Sequence, residues 1–294
     1  MSTRTRRIGR FTVSCIGLGA MPFSLRDGAL PAREQVHATV HAALDAGITL
    51  IDTADIYAPS WDAMGHNERA VSDALAAYEG DRSGVVVATK AGITRGPGER
   101  WGRDSSLGYL RGRVEASLAN LGVDQLDLLY LHRPDRSRVY AEAIENLATL
   151  KDDGLIAEIG ISNANVEEIR IALDVLGDGG LAAVQNEFSP RFNHTSKQEL
   201  DFCAAHGVTF VPWSPLGGAS GAASVGDRFA VLADVAARLG VSPQRVTLAW
   251  ELALGEHVLP IPGASRPESV IDSAAAMDLE LSADDVAEIS ARLL

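Results

Sequence analysis

Three short apolar runs each finish on an ionisable side chain: Ile51 leads into Asp52, Thr89 into Lys90, and Leu131 into His132. Tyr57 follows shortly after Asp52. A tyrosine is a poor acid near neutrality, with an ordinary pKa of about 10. An ammonium beside it stabilises the phenolate and pulls that value down, and a carboxylate can hold the ammonium in place. Tyr57 with Lys90 and Asp52 therefore reads as a general acid or base, a role typically worth about 10²–10⁴ in rate. A neutral His132 adds a donor that orients a substrate oxygen. The set suits protonation of an oxygen as negative charge builds on it, which carbonyl reduction by hydride requires. Each residue also has a plain structural reading: turn cap, solvated strand end, satisfied histidine, loop aromatic. Their joint placement on successive strand ends is what favours chemistry.

Something must bring those ends together. Short β-branched runs at 13–18, 49–52, 85–90, 125–132, 156–162, 181–186, 208–213 and 258–261 alternate with amphipathic stretches. Most are continuously apolar, as parallel strands covered on both faces are. Val36, Val40, Ala43 and Leu44 share one helical face, as do Val166, Ile169, Leu173 and Leu176. Gly47, Gly122, Gly154, Gly207 and Gly240 stand where helices end. This predicts an α/β fold, a (β/α)8 TIM barrel, with an N-terminal β-hairpin and extra helices near the C-terminus. No polar linker divides the chain, so residues 1–294 are expected to form a single domain. In such a barrel the strand C-termini share one face, which collects Asp52, Lys90 and His132. The rival is a doubly wound sheet, but Gly17-Leu18-Gly19 lacks the third glycine of its fingerprint and runs into Pro22. Residues 93–106 and 216–226 do not fit the alternation and read as functional loops or as surface insertions.

Composition narrows the function. Twenty-six Lys and Arg face 39 Asp and Glu in 294 residues, a net charge of −13. That balance argues against nucleic acid or an anionic membrane as partner. Hydrophobic residues make up 46%, too many for a disordered chain. Cys15 and Cys203 are too few to staple the fold and read as reduced thiols. No apolar run long enough to span a bilayer occurs, and none follows the N-terminal arginines as a signal peptide, so a cytoplasmic protein is expected. The seven histidines show neither HxH nor HExxH spacing, so no metal is expected.

Further segments carry a resemblance: IGLGAMP at 16–22, DTADIY at 52–57, HNERAVSDAL at 66–75, VVVATK at 85–90 and LLYLHRPD at 128–135. IGISNA at 159–164, VQNEFSP at 184–190, VPWSPLGG at 211–218 and IPGASRPE at 261–268 follow in order. Together they resemble the aldo-keto reductase family over nearly the whole chain. The resemblance implies a barrel that binds NADP(H) at its C-terminal face without a Rossmann fold. It implies Tyr57 as acid/base, Lys90 as the residue that perturbs it, Asp52 as their carboxylate and His132 as the substrate-orienting histidine.

It also implies cofactor contacts. Gly19, Ala20, Met21 and Asp52 belong to the first and second strand ends. Ser162, Asn163 and Gln185 resemble the residues that hold the nicotinamide carboxamide, and Trp213 the aromatic beneath the ring. Ser214, Pro215, Leu216 and Gly217 resemble the segment along the pyrophosphate. Gly263, Ser265 and Arg266 resemble the adenosine-phosphate site at a helix start. The best-known members carry Lys, Arg and Asn where this chain has Gly263, Ser269 and Ser273, which leaves Arg266 as the cation. NADP(H) is preferred on that basis, with NAD(H) as the alternative.

The substrate implied is a small carbonyl compound reduced to an alcohol. The alternatives are an NAD(P)⁺-dependent dehydrogenase of a sugar or other alcohol, and a cofactor-sensing subunit like the β subunits of potassium channels. Arg95, Arg100 and Arg103 are candidates to meet a polar or acidic group on the substrate, and Phe23, Trp61 and Trp101 to supply apolar or sugar-stacking surface. Oligomeric state stays open.

Overall fold

A computed structural model describes residues 4–194 and 196–294. Among them, seven parallel strands run in the order β11-β10-β9-β8-β5-β4-β3. They are β3 (Leu18–Gly19), β4 (Leu50–Asp52), β5 (Val86–Ala91), β8 (Leu126–Leu131), β9 (Ile156–Ser162), β10 (Leu181–Glu187) and β11 (Thr209–Trp213). Helices α1 (Arg33–Asp45), α2 (His66–Ala76), α3 (Leu107–Leu121), α4 (Tyr140–Asp152), α5 (Val166–Leu176) and α6 (Lys197–His206) connect them. Short helices α7 (Ala219–Ala222) and α8 (Val225–Arg228) precede α9 (Ala230–Leu239), α10 (Pro243–Ala253) and α11 (Pro267–Ala274). Last comes α12 (Ala283–Leu293), an extra helix that lies on α9 and α10, where Trp250 Nε1 donates to Ser290 Oγ at 3.0 Å. No helix among the described residues is long and apolar enough to cross a membrane.

The eighth position is filled differently from expectation. Residues 258–261 form bridges rather than a ladder strand, Phe210 to Val258 and Trp213 to Ile261. On the other side Pro260 and Pro262 accept from Gly17 N and Gly19 N, each at 3.0 Å. Proline has no N–H to return, so only half a ladder can form there. The seam still closes the barrel between β11 and β3.

The expected run at 13–18 divides as well. Its start belongs to an antiparallel hairpin of β1 (Thr5–Ile8) and β2 (Phe11–Ser14), and its end to β3. Ile8 and Val13 pack against Leu50, Val86 and Leu128, which plugs the end of the barrel where the strands begin. The stretch 93–106 is not a loop. It folds as a second hairpin, β6 (Ile93–Gly96) with β7 (Arg100–Arg103), and Gly98 takes a positive φ in its turn.

The pleat decides what points inward. Leu50, Ala88, Leu128, Ala183 and Val211 belong to the barrel interior, whereas Ile51, Leu129, Val184 and Phe210 pack in the layers that hold the helices. Side chains alternate along a strand. Two residues beyond each inward position, towards the C-terminal end, stand Asp52, Lys90, Tyr130, Gln185 and Trp213. Gly160 faces the same interior because a Cβ there would sit 2.4 Å from the Tyr130 ring. Apolar layers below therefore raise a polar layer above, and every large side chain fully buried contributes roughly 1.5–3 kcal/mol to holding it.

Candidate active site

Lys90 lies at the centre of that polar layer, 1% exposed, and its Nζ donates to Asp52 Oδ1 and, at 2.7 Å, to the Thr53 carbonyl. Gln185 Nε2 donates to the other carboxylate oxygen, Oδ2, at 2.8 Å. Both oxygens of Asp52 thus accept, as an ionised carboxylate does. Burial pushes Asp52 up, and Lys90 and Gln185 pull it back down without cancelling that push. Burial lowers Lys90, yet Asp52 and Tyr57 outweigh it and hold the ammonium above its ordinary value. Lys90 Nζ also stands 5.2 Å from the centre of the Tyr57 ring and 5.9 Å from that of Tyr130.

Tyr57 and His132 meet edge to face, with ring centres 5.8 Å apart. Burial drives the His132 imidazole well below its ordinary value, and the charges of Lys90 and Arg133 push the same way. It is neutral. Its buried Nδ1 has no partner among the described residues. A buried N–H without an acceptor is the rarer and costlier defect, so the proton belongs on Nε2. For Tyr57 the expectation from sequence needs correcting. Lys90 does pull the phenol down, but burial raises it more, and Asp52 and Asp55 add to the rise. The phenol keeps its proton.

The loop bearing Tyr57 is fixed from several sides. Tyr57 O accepts from Asn67 N at 3.1 Å, and Asn67 Oδ1 accepts from Thr53 Oγ1 at 2.6 Å. Arg95 donates to the Ala58 carbonyl at 2.7 Å and pairs with Glu99 at 2.6 Å. It is 8% exposed, so it serves the loop and not a substrate, contrary to its expected place. Asp55 is fully buried, pairs with Arg113 Nε at 2.8 Å, and is pushed up to about 7 by burial. On the adjoining helix Glu68 accepts from Thr89 Oγ1 at 2.6 Å and Asn120 Nδ2 at 2.9 Å. Sequence reasoning missed Asp55, Asn67, Glu68 and Arg113 as supports. Their signal was four polar residues at otherwise apolar-facing positions.

The remaining expected residues divide between this layer and the rim. Ser162 Oγ donates to the Gln185 carbonyl at 2.7 Å, and Asn163 Nδ2 donates to Ser162 Oγ at 2.9 Å and the His132 carbonyl at 3.0 Å. Asn163 Oδ1 is left without a partner among the described residues. Gln185 spends an amide hydrogen on Asp52. Trp213 Nε1 is buried with no partner among the described residues. Asn163 and Ser214 hold positive φ, 58° and 52°, a conformation costly away from glycine and typical of sites that grip a ligand. Gly217 N donates to Ser214 O at 2.8 Å, closing a turn over Pro215 and Leu216, which are buried.

At the rim, Gly19 bridges Gly263, and a Cβ on Gly19 would lie 2.9 Å from the Ile261 carbonyl. Ala20 N is bonded to Asp52 O at 2.8 Å, and Met21 is exposed beside it. Arg266 immediately precedes α11 and its Nε donates to Ser269 Oγ at 3.1 Å. Arg26 reaches Ser265 Oγ at 3.1 Å, and Gln35 reaches the Ser265 carbonyl at 2.6 Å. Arg26 is thus a second cation at this end, beside Ser265. The orphaned Trp213 Nε1, the free Asn163 acceptor, the glycine contact and the paired cations fit an extended dinucleotide with an anionic far end. Among the described residues no group of His, Cys, Asp and Glu could hold a metal ion.

A cavity of about 600 Å³ is lined by Ile93, Trp101, Arg103, Arg133, Asp135 and Arg136, and Ile93 also belongs to the small apolar cluster against which Tyr57 packs.

A sequence model of the aldo/keto reductase family matches residues 15–293. The chain is 36% identical over 255 residues to a 6-dehydroglucose reductase of Novosphingobium aromaticivorans, covering 84% of this chain and 81% of that one. It is 32% identical over 291 residues to the pyridoxine 4-dehydrogenase of Escherichia coli, covering 96% of each. Among solved structures, an aldo-keto reductase from Klebsiella pneumoniae in complex with NADPH superposes with a TM-score of 0.81 at 26% identity, over 100% of this chain and 96% of that one.

Proposed function

The chain belongs to the aldo/keto reductase family, and on that premise we propose that it is an NADP(H)-dependent oxidoreductase that reduces an aldehyde or ketone to an alcohol. The observation that carries this reading is Lys90, its ammonium held by Asp52 and set 5.2 Å from the Tyr57 ring centre. We take residues 1–294 as one barrel unit with one such site. When bound, the cofactor supplies the hydride to the carbonyl carbon. His132 donates from Nε2 to the carbonyl oxygen and orients it. As charge builds on that oxygen, the Tyr57 hydroxyl releases its proton there. The Lys90 ammonium stabilises the phenolate that remains, and Asp52 keeps Lys90 in place. Because burial keeps Tyr57 protonated, the resting site is set to donate, which suits reduction.

The residues that would hold the cofactor are those the family resemblance implies. Ser162, Asn163 and Gln185 would meet the carboxamide, and Asn163 Oδ1 could accept its N–H. Trp213 would stack on the nicotinamide ring. Gly19, Ala20 and Met21 would also contact the cofactor, and Ser214 to Gly217 would run along the pyrophosphate. Gly263, Ser265 and Arg266, with Arg26, would take the phosphate of the adenosine end. The NADPH complex of the Klebsiella relative supports this reading. The same groups run the reverse reaction, and the relative named pyridoxine 4-dehydrogenase favours that as a second reading. The buried free thiols of Cys15 and Cys203 suit a reducing compartment, and we place the protein in the cytoplasm.

Purified protein should consume NADPH absorbance when given a generic aldehyde. Specificity constants in both directions at equal cofactor concentration separate reductase from dehydrogenase. Protein that binds NADPH yet turns over neither aldehydes nor alcohols contradicts the enzymatic reading.

A further inference from the structure

Arg133 follows His132 directly and lines this cavity, which shares Ile93 with the cluster that Tyr57 packs against. It is half-buried, and among the described residues it has no ion pair within 4.0 Å and no side-chain hydrogen bond. A partly desolvated guanidinium without a partner is unfavourable in the free protein. Its cost is also visible in its proton affinity, which burial and the charge of Arg103 both lower. Glu187 attracts it only from beyond contact distance. In a chain of net charge −13 such a cation stands out.

The other charged groups around the cavity are accounted for. Asp135 accepts from Ser137 Oγ at 2.6 Å, Ser137 N at 3.1 Å and Ser105 N at 3.3 Å, with Arg138 at 3.6 Å, so it does not neutralise Arg133. Arg136 leans to Glu168 at 3.6 Å. Arg103 donates to the Pro134 carbonyl at 3.2 Å, which draws its guanidinium over the same segment. Ile93 and Trp101 line the same cavity, with the Trp101 ring centre 4.7 Å from the guanidinium carbon of the buried Arg95. The cavity thus combines an apolar wall, joined through Ile93 to the cluster that Tyr57 packs against, with the unpaired positive charge of Arg133.

We propose that this cavity selects an aldehyde bearing a carboxylate, with Arg133 as its principal partner and Arg103 as the second. This rests on the reductase reading above and deepens it to a substrate class. The carbonyl end meets Tyr57 and His132, and the carboxylate takes a charge-assisted bidentate contact with the guanidinium of Arg133.

The test compares para-carboxybenzaldehyde with its methyl ester, equal in body and different in charge. Wild-type protein should prefer the acid at least tenfold in kcat/KM, expressed chiefly in KM. Arg133→Met, which keeps the apolar stem, should cut that preference about tenfold, Arg133→Lys should restore part of it, and Arg103→Met should have a smaller effect. A second readout needs no turnover: terephthalate should quench tryptophan fluorescence, with Kd about tenfold weaker in Arg133→Met. An ester reduced as well as the acid, or a ratio unmoved by Arg133→Met, overturns the proposal and leaves the reductase reading standing. If neither aldehyde is reduced, the reductase reading falls, and terephthalate binding that ignores Arg133 removes the anion site as well.

Discussion

Gln185 on β10 donates from Nε2 to Asp52 Oδ2 on β4 at 2.8 Å, across the barrel interior. Lys90 occupies the other oxygen of the same carboxylate. Asp52 is therefore fixed by two strands as well as its own, and Lys90 is aimed by what fixes Asp52. Gln185→Leu leaves Oδ2 buried and unpaired, which should cost about 1.5–3 kcal/mol because the lost bond is to a charge. Chemical denaturation should show it, and kcat should fall more than KM rises.

Lys90→Met removes the cation that, among the described residues, pairs with the buried Asp52 carboxylate. Breaking one side of such a pair costs about 3–5 kcal/mol, which a lowered Tm will report. It also strips the phenolate of its stabiliser, so reduction should slow by at least about 10²-fold. A variant that melts earlier yet turns over normally would confine Lys90 to structure.

The pH profile follows from two opposed shifts. Tyr57 is raised above its ordinary value of about 10, and His132 is depressed below about 6.5. Reductive kcat/KM should therefore stay flat between about pH 6.5 and 10 and decline above, where Tyr57 loses the proton it donates. The stability sign is separate. A histidine depressed in the fold contributes stability above about pH 6.5 that is lost as pH falls through its folded value. His132→Asn should flatten that acid limb in pH-dependent melts.

Arg266 and Arg26 bear on cofactor choice. Removing Arg266 should weaken NADPH about tenfold or more and leave NADH nearly unchanged, because a single charge-assisted bond to phosphate is worth about 1.5–3 kcal/mol. Arg26→Ala should act in the same direction. Fluorescence titration with both cofactors reads it, and equal loss for both would dissociate these arginines from the phosphate.

Most barrel strands, and the gathering of Asp52, Lys90 and His132 at one end of the barrel with Tyr57 beside them, were legible in the sequence because alternation along continuous apolar runs leaves one choice of inward face. Asp52, Lys90 and Gln185 all stand two positions beyond a buried interior residue. The run at 13–18 was misread because the end of a plugging hairpin and the start of a barrel strand are both apolar and have no turn signal between them. The eighth strand was overstated because Pro260 and Pro262 are apolar yet cannot complete a ladder. The hairpin β6-β7 was hidden because its inward positions are Ile93 and Arg95, and all of β7 is exposed. A buried arginine defeats the alternation that marks a strand. The phenol of Tyr57 was given the wrong direction for a related reason: its neighbour Lys90 is visible in sequence, whereas the burial that outweighs Lys90 exists only in the fold.

The central claim is that the Tyr57 hydroxyl gives its proton to the reacting oxygen. Tyr57→Phe keeps the ring beside Lys90 and His132 and removes only that hydroxyl. Single-turnover reduction of an aldehyde by the NADPH-loaded variant should slow by at least about 10²-fold, with the NADPH dissociation constant within about twofold of wild type. A variant that binds NADPH and reduces the aldehyde at the wild-type rate contradicts the account.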